Sequence, residues 1–403
     1  MSDGPEDTRV PRRTLAGATI LQIVPALREE PRARAAVNIA YSLLQAGARA
    51  FVGAEDGPLA GELRAFGGEW IALTDSAVNL LRLRQNARRL EELIASERVD
   101  IVHAQSAGAA WSARVAASQI PVWLVTTLPD VPPPKSRLRA PFLGALAQGD
   151  RIIAPSIYAA APMIERFGIA RDLITVIPRE IDTDAFDPMA VAPERSAALR
   201  AQWKIPPNDR IVLAPGRVAP WNGQMVLPEV ARALAEEGVR GVSYVIVGEH
   251  ALHRSYAREI MQQAQSHGVG RLFRMAGHCP DLPAALFCAD IVVVPALEAP
   301  LLGSVVAQAQ AMARPTIVSE VGMLSEHVLT PPRMPEELRT GWAVTPGDPI
   351  DLAHTLKLAL ALEATAYQAM AARARQFAKY MFSPQSAAVA TRAVYTSLLS
   401  RDL

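Results

Sequence analysis

The residues able to do chemistry lie in a few short stretches. In VLAPGRVAPWNGQ, residues 212–224, an apolar run ends in Pro-Gly and delivers Arg217, with Asn222 five positions on. A guanidinium at such a place can hold a phosphate bidentately; it can equally lie at the surface paired with Glu249 or Glu180. Trp221 could stack on a ligand or pack the turn. His103 follows a strand-like run, so it is either a binding residue or a satisfied structural histidine. His250 and His253 are spaced for one helix face, but no cysteine or carboxylate completes a ligand set, and no metal is expected. Cys279 and Cys288 lie among apolar residues and read as inert core thiols. No Ser-His-Asp or Cys-His signature is present.

The elements that must position these residues alternate along the chain. From Ala18, β-rich runs (ATILQIV, ARAFVGA, VDIVHA, PVWLVTT, DRIIAPS, ITVIP) are separated by amphipathic stretches of helical length such as 33–46 and 78–96. This is the pattern of βαβ units around a parallel sheet. It stops near Pro178, and residues 182–207 are Pro- and Asp-rich. It then restarts with RIVLAPG, VSYVIVGE, LFRMAGH, DIVVVPAL and PTIVSEV, with helices at 225–237 and 253–267 among them. The spacing predicts an α/β protein of two doubly wound domains facing a cleft. The expected divisions are a flexible leader at 1–17, a first domain at 18–181, a linker at 182–207, a second domain at 208–375, and a C-terminal helix at 376–403 that returns to the first domain. Ligands of such sheets sit at the carboxyl ends of the strands.

Composition excludes several classes. The chain has 403 residues, half of them apolar, and a net charge of +1. That size suits two cores. That charge gives no global case for nucleic acid. No apolar run approaches the roughly 20 residues of a membrane span, so a cytoplasmic location is expected. One segment, residues 132–147 (PPPKSRLRAPFLGALA), combines Lys135, Arg137 and Arg139 with Phe142, Leu143 and Leu146. It is either a weak contact with the inner-membrane surface or a helix packed on its own domain.

VLAPGRVAPWNGQ resembles the phosphate-binding turn of glycosyltransferase family 4, usually LxPGRxxxWKGQ. The segments VDIVHAQSAGAAWSA, TVIPREIDTDAFDP, MAGHCPDLPAALFCADIVVVPALEAPLLGSVVAQAQAMARPTIVSE and TGWAVTPGD follow the same family in register, over residues 18–399. The resemblance implies a GT-B fold with two Rossmann-like domains, and retaining, metal-independent transfer from a nucleotide-diphosphate sugar. It places the donor near Arg217, Asn222, Gly303, Gln308, Glu298 and Gly322.

Against that pattern the chemical positions depart together. Asn222 stands where the family has Lys, Glu30-Pro31 replaces a Gly-Gly turn, and Pro129 replaces a histidine. Glu180 replaces a glycine, Pro300 and Gln308 replace two glutamates, and Met323 replaces the second glycine of a later loop; Glu326 remains. No catalytic residue is assigned. A pseudo-glycosyltransferase in cell-surface polysaccharide or lipopolysaccharide assembly, working beside an active glycosyltransferase, is the expectation. An active hexosyltransferase with a rebuilt donor site is the alternative.

Overall fold

The structure is a computed structural model, and it describes residues 14–73, 80–130, 140–299 and 303–401. The chain divides into two compact units, one made of the residues up to Glu180 together with those from Pro384 onward, the other of Ile181–Ser383.

The first unit holds a parallel sheet of β1 (Thr19–Ala26), β2 (Arg49–Glu55), β3 (Glu69–Ala72), β4 (Ile101–Ala104), β5 (Trp123–Thr127), β6 (Arg151–Ala154) and β7 (Ile174–Val176). Their order is β3-β2-β1-β4-β5-β6-β7, so the winding reverses between β1 and β4. Side chains alternate across the strands as a period of two requires. Ile20, Val24, Val52, Ile101 and Val125 pack on one face with helices Pro31–Gln45 and Pro384–Leu399. Leu21, Ile23, Phe51, Val102 and Leu124 pack on the other with helices Leu80–Glu97 and Ala107–Ala117.

The second unit repeats the plan with β8 (Arg210–Pro215), β9 (Val242–Val247), β10 (Phe273–Gly277), β11 (Ile291–Val294), β12 (Thr316–Ser319) and β13 (Gly341–Val344). The order β10-β9-β8-β11-β12-β13 is again all parallel, with its switch point between β8 and β11. One device recurs in both sheets. Asp100, Asp150 and Asp290, each the residue immediately before a strand, accept the backbone N–H of Thr19, Leu124 and Ile211 on the adjacent strand, at 2.9, 2.7 and 2.7 Å. Each carboxylate satisfies an otherwise orphaned donor at a strand start.

Three boundaries differ from the sequence reading. Residues 14–17 of the expected leader are tied down, because Gly17 N–H donates to Gly47 O at 2.8 Å and Leu15 packs on the core; residues 1–13 lie outside the described residues. The expected linker is part of the second unit. Its helix Pro193–Gln202 leads into Trp203 and Ile205, which are buried with Val191 against Ala284, Ala285 and Leu286. The return to the first unit starts at Pro384 rather than at residue 376. Ala378 and Phe382 are buried against Ile181, Ala307 and Ala311, and Ile181 N–H donates to Phe382 O at 2.8 Å. Pro384 then opens a new helix, as proline's missing N–H allows at a first turn.

The returning helix completes the first unit's interior. Tyr395 is fully buried, and its hydroxyl is hydrogen-bonded to His103 Nδ1 at 2.7 Å. Tyr395→Phe is expected to lower unfolding stability by about 1–3 kcal/mol, since it leaves a buried ring nitrogen without that partner. Urea denaturation of both proteins checks this, and an unchanged midpoint would show the bond to be worthless.

Candidate functional site

The second unit places its candidate residues at the carboxyl ends of β8, β11 and β12. After β8 the chain passes through Gly216 and Arg217, a short turn Pro220–Asn222, and Gly223 into helix Leu227–Glu236. Gly223 has a φ of +68°, and a Cβ there would lie 1.9 Å from the carbonyl oxygen of Pro295, just beyond β11. Only glycine fits this close approach. Asn222 Nδ2 donates to Arg217 O at 2.7 Å, and Gln224 Nε2 donates to the same oxygen at 3.0 Å. The amide at the lysine position is therefore spent on holding the turn. Trp221 packs edge-on against His253 at 4.9 Å, and its carbonyl accepts the N–H groups of Leu297 and Glu298 at 2.8 and 3.1 Å. The tryptophan is thus a packing residue of the turn.

Arg217 itself is exposed, and its guanidinium has no ion pair or hydrogen bond among the described residues. The pairing with Glu249 that the sequence allows does not form: that carboxylate accepts the N–H groups of His250 and Ala251 at 2.8 and 2.6 Å, which lower its pKa. Glu298 is exposed and Gln308 half-buried on helix Ser304–Ala311. Pro300 lies outside the described residues.

Gly303 precedes that helix, and its carbonyl oxygen lies 3.2 Å from His327 Nδ1. A Cβ on Gly303 would meet Met323 Sδ at 3.0 Å and His327 Cε1 at 3.1 Å. Met323, next to the positive-φ Gly322, is buried. So the residue that replaces the family's second glycine fills the space beside Gly303. Burial drives the pKa of His327 down to about 4, which makes it a neutral core group and no acid or base for neutral-pH chemistry.

At the carboxyl ends of the first sheet the charges are turned on one another. Glu30 is the exposed N-cap of Pro31–Gln45, makes no capping hydrogen bond, and precedes a proline that removes one N–H. Arg34, one turn on, pairs with Glu62 at 2.6 Å and Glu29 at 2.9 Å. Arg179 forms a bidentate pair with Asp130, the neighbour of Pro129. Glu180 Oε1 accepts from Asn38 Nδ2 at 2.5 Å, while Oε2 is buried with no partner among the described residues. Burial raises the carboxyl's pKa, against the opposing pull of Asn38 and Arg34. His103 is buried with both nitrogens engaged, Nδ1 by Tyr395 and Nε2 by Thr127 Oγ1 at 2.7 Å. Burial lowers its pKa to about 3, and it is a structural histidine.

Between these residues lies a cavity of about 80 Å³, lined by Pro31, His103, Thr127, Arg179 and Glu180 with apolar walls. The apolar half of the 132–147 segment is used inside the unit: Leu143 and Leu146 are buried, and Phe142 packs on Trp111 at 6.3 Å. Its three cations lie outside the described residues. The thiols of Cys279 and Cys288 are free and held up in pKa by burial, Cys288 to about 11. Sequence reading missed the Arg179–Asp130 and Asn38–Glu180 pairs, whose members are far apart along the chain.

Two family models match the chain, Glycosyltransferase Family 4 over residues 33–185 and Glycosyl transferases group 1 over residues 196–377. The chain belongs to glycosyltransferase family 4. The first match begins just beyond Glu30-Pro31, where the chain departs from the family turn. D-inositol 3-phosphate glycosyltransferases of Xylanimonas cellulosilytica and Segniliparus rotundus are each 30% identical, over 205 and 201 residues. These stretches are 50% and 48% of this chain, and 47% and 42% of the relatives. The chain thus spans about half the length of the curated relatives it matches. A Rickettsia africae glycosyltransferase superposes with a TM-score of 0.78 at 23% identity, over 96% of this chain and all of that one (100%). Anabaena HepE in complex with UDP superposes with a TM-score of 0.70 at 20% identity, over 94% and 100%. The fold is GT-B. Among the described residues no group of three or more histidines, cysteines and carboxylates is placed to hold a metal ion. No described helix is long and apolar enough to cross a membrane.

The stranded oxygen of Glu180 makes a pH-dependent prediction. Its raised folded pKa means that the ionised form is disfavoured in the folded chain. The cost is present above that pKa and fades as pH falls toward the ordinary carboxyl value. Glu180→Gln keeps an acceptor for Asn38, so it should stabilise the protein by about 1 kcal/mol at pH 7.5, with the gain shrinking on acidification toward pH 4.5. Urea midpoints at the two pH values check this; a gain that grows on acidification has the wrong sign.

Proposed function

We propose that this chain is a non-catalytic member of glycosyltransferase family 4, acting as a partner or scaffold beside an active glycosyltransferase in cell-surface polysaccharide or lipopolysaccharide assembly. The observation that carries the reading is that two cations beside the substituted positions of the first unit are already paired. Arg179 is held by Asp130, and Arg34 by Glu29 and Glu62. Asn222 contributes no charge, which leaves Arg217 as the remaining unpaired cation of the phosphate turn.

Magnitudes support this. One charge-assisted hydrogen bond contributes about 1.5–3 kcal/mol, and one preorganised donor to a leaving group about 10²–10³ in rate. A departing nucleoside diphosphate carries its charge chiefly on phosphate oxygens, and a lone exposed arginine among substituted neighbours supplies a small part of what the family turn supplies. Glu30 stands at one of the family's two glycine positions and puts a carboxylate where the resemblance implies a phosphate-binding N–H. His103 and His327 are buried and neutral, so neither replaces the missing histidine.

A second reading, an active retaining hexosyltransferase with a rebuilt donor site, is favoured by one observation: the guanidinium of Arg217 is exposed and free at the intact turn. The names of the curated relatives point the same way for them. The two readings part on turnover. Incubation of the purified chain with UDP-, GDP- and ADP-hexoses should release nucleoside diphosphate at the rate of buffer alone, and Arg217→Ala should release no less. Release above buffer that is lost in Arg217→Ala establishes the enzyme and rejects the scaffold.

A further inference from the structure

The second unit carries an open groove of about 670 Å³ that the phosphate turn does not use. It runs along helix Arg254–Ser266 beside β10. Arg254, Arg258, Gln262 and Gln265, spaced along one helix face, are exposed at its rim; Met261 and Met275, half-buried, form its floor. Residues 254 to 265 span about 16 Å of helix, the length of about five residues of strand, and β10 is a five-residue strand. β10 is also the outermost strand of its sheet, with no described strand on its far edge.

The charge in this groove has one sign. No aspartate or glutamate lines it. The guanidiniums of Arg254 and Arg258 have no acidic partner among the described residues; Arg258 Nε donates only to the Arg254 carbonyl, at 3.3 Å. Glu249, next to His250 in sequence, is turned onto its own loop backbone, and Glu259, next to Arg258, does not line the groove. His250 Nδ1, at the arginine end, is buried without a hydrogen-bond partner among the described residues. A groove with an unpaired sheet edge, an apolar floor and unmatched cations fits an extended chain that brings carboxylates.

We propose that this groove docks an extended acidic segment of a partner protein. The segment adds a strand to β10, sets carboxylates against Arg254 and Arg258, and lays its apolar residues on Met261 and Met275. The proposal rests on the reading of the chain as a partner protein and names the partner's chemistry. Its test reads binding, so turnover of a nucleotide sugar would reject the scaffold and leave the groove standing.

The test is fluorescence anisotropy of labelled octapeptides titrated with the full chain. One peptide alternates Glu and Val, a second alternates Lys and Val, and a third is the Glu-Val peptide with a central proline. The Glu-Val peptide should bind saturably and the Lys-Val peptide should not. The proline should weaken binding at least about tenfold by blocking strand pairing. Arg254→Ala with Arg258→Ala should weaken it at least about tenfold as well, and Arg258→Glu alone should do the same without removing a second side chain. Absence of saturable binding, equal binding of acidic and basic peptides, full retention by the proline peptide, or indifference to the arginine changes overturns the proposal.

Discussion

Much of the second unit depends on how closely backbone approaches backbone at the end of β8. The turn from Gly216 to Gly223 is wedged between the ends of β9 and β11. Val218 N–H reaches Glu249 O at 3.0 Å, Trp221 O collects two N–H groups from residues 297 and 298, and Gly223 leaves no room for a side chain beside Pro295. Gly248 shows the same constraint, since a Cβ there would lie 1.8 Å from Gly216 O. These contacts are between main chains, and the neutral amides of Asn222 and Gln224 add to them, so the turn keeps its shape without a charged side chain. Geometry and chemistry can therefore part company at this site. The glycines fixed by backbone packing at the turn are retained, as is Arg217, while Asn222 stands where the family has lysine.

A vacated ligand position leaves either a hole or an unpaired charge, and both are costly in a folded protein. The chain handles each locally. Met323 fills the volume beside Gly303, and Asn222 gives its amide to the turn. Arg179 and Asp130 neutralise one another near Pro129. Glu180 is the incomplete case, with one oxygen bonded to Asn38 and the other stranded. The result at the carboxyl ends of the first sheet is a set of polar groups that are largely paired with one another.

Much of this architecture is legible in the sequence because buried parallel strands are apolar runs of four to eight residues, and these alternate here with amphipathic stretches. The elements that escape such reading have no period to show. β3 is a four-residue edge strand whose residues are half-buried or exposed, and helix Leu59–Ala65 is two turns long. The expected linker misleads by composition, since its prolines and aspartates outnumber the few residues, Val191, Trp203 and Ile205, that fix it to the second core. The break at Ser383–Pro384 is visible as a proline, but its place in the fold depends on Phe382, whose partners are remote along the chain. At the site, motif comparison identifies which positions changed. It cannot identify where the new charges go, because Asp130 meets Arg179 and Asn38 meets Glu180 only once the sheet has assembled.

The central claim is that the phosphate turn survives as backbone while its capacity to hold a diphosphate is gone. Calorimetric titration of the full chain with UDP, GDP and ADP, alongside Arg217→Ala, tests it most directly. The account predicts dissociation constants weaker than millimolar and changed little by the substitution, since millimolar affinity needs about 4 kcal/mol and a single exposed ion pair contributes about 1 kcal/mol or less. Micromolar binding that disappears in Arg217→Ala would contradict it, and would show that the turn still works as a donor site.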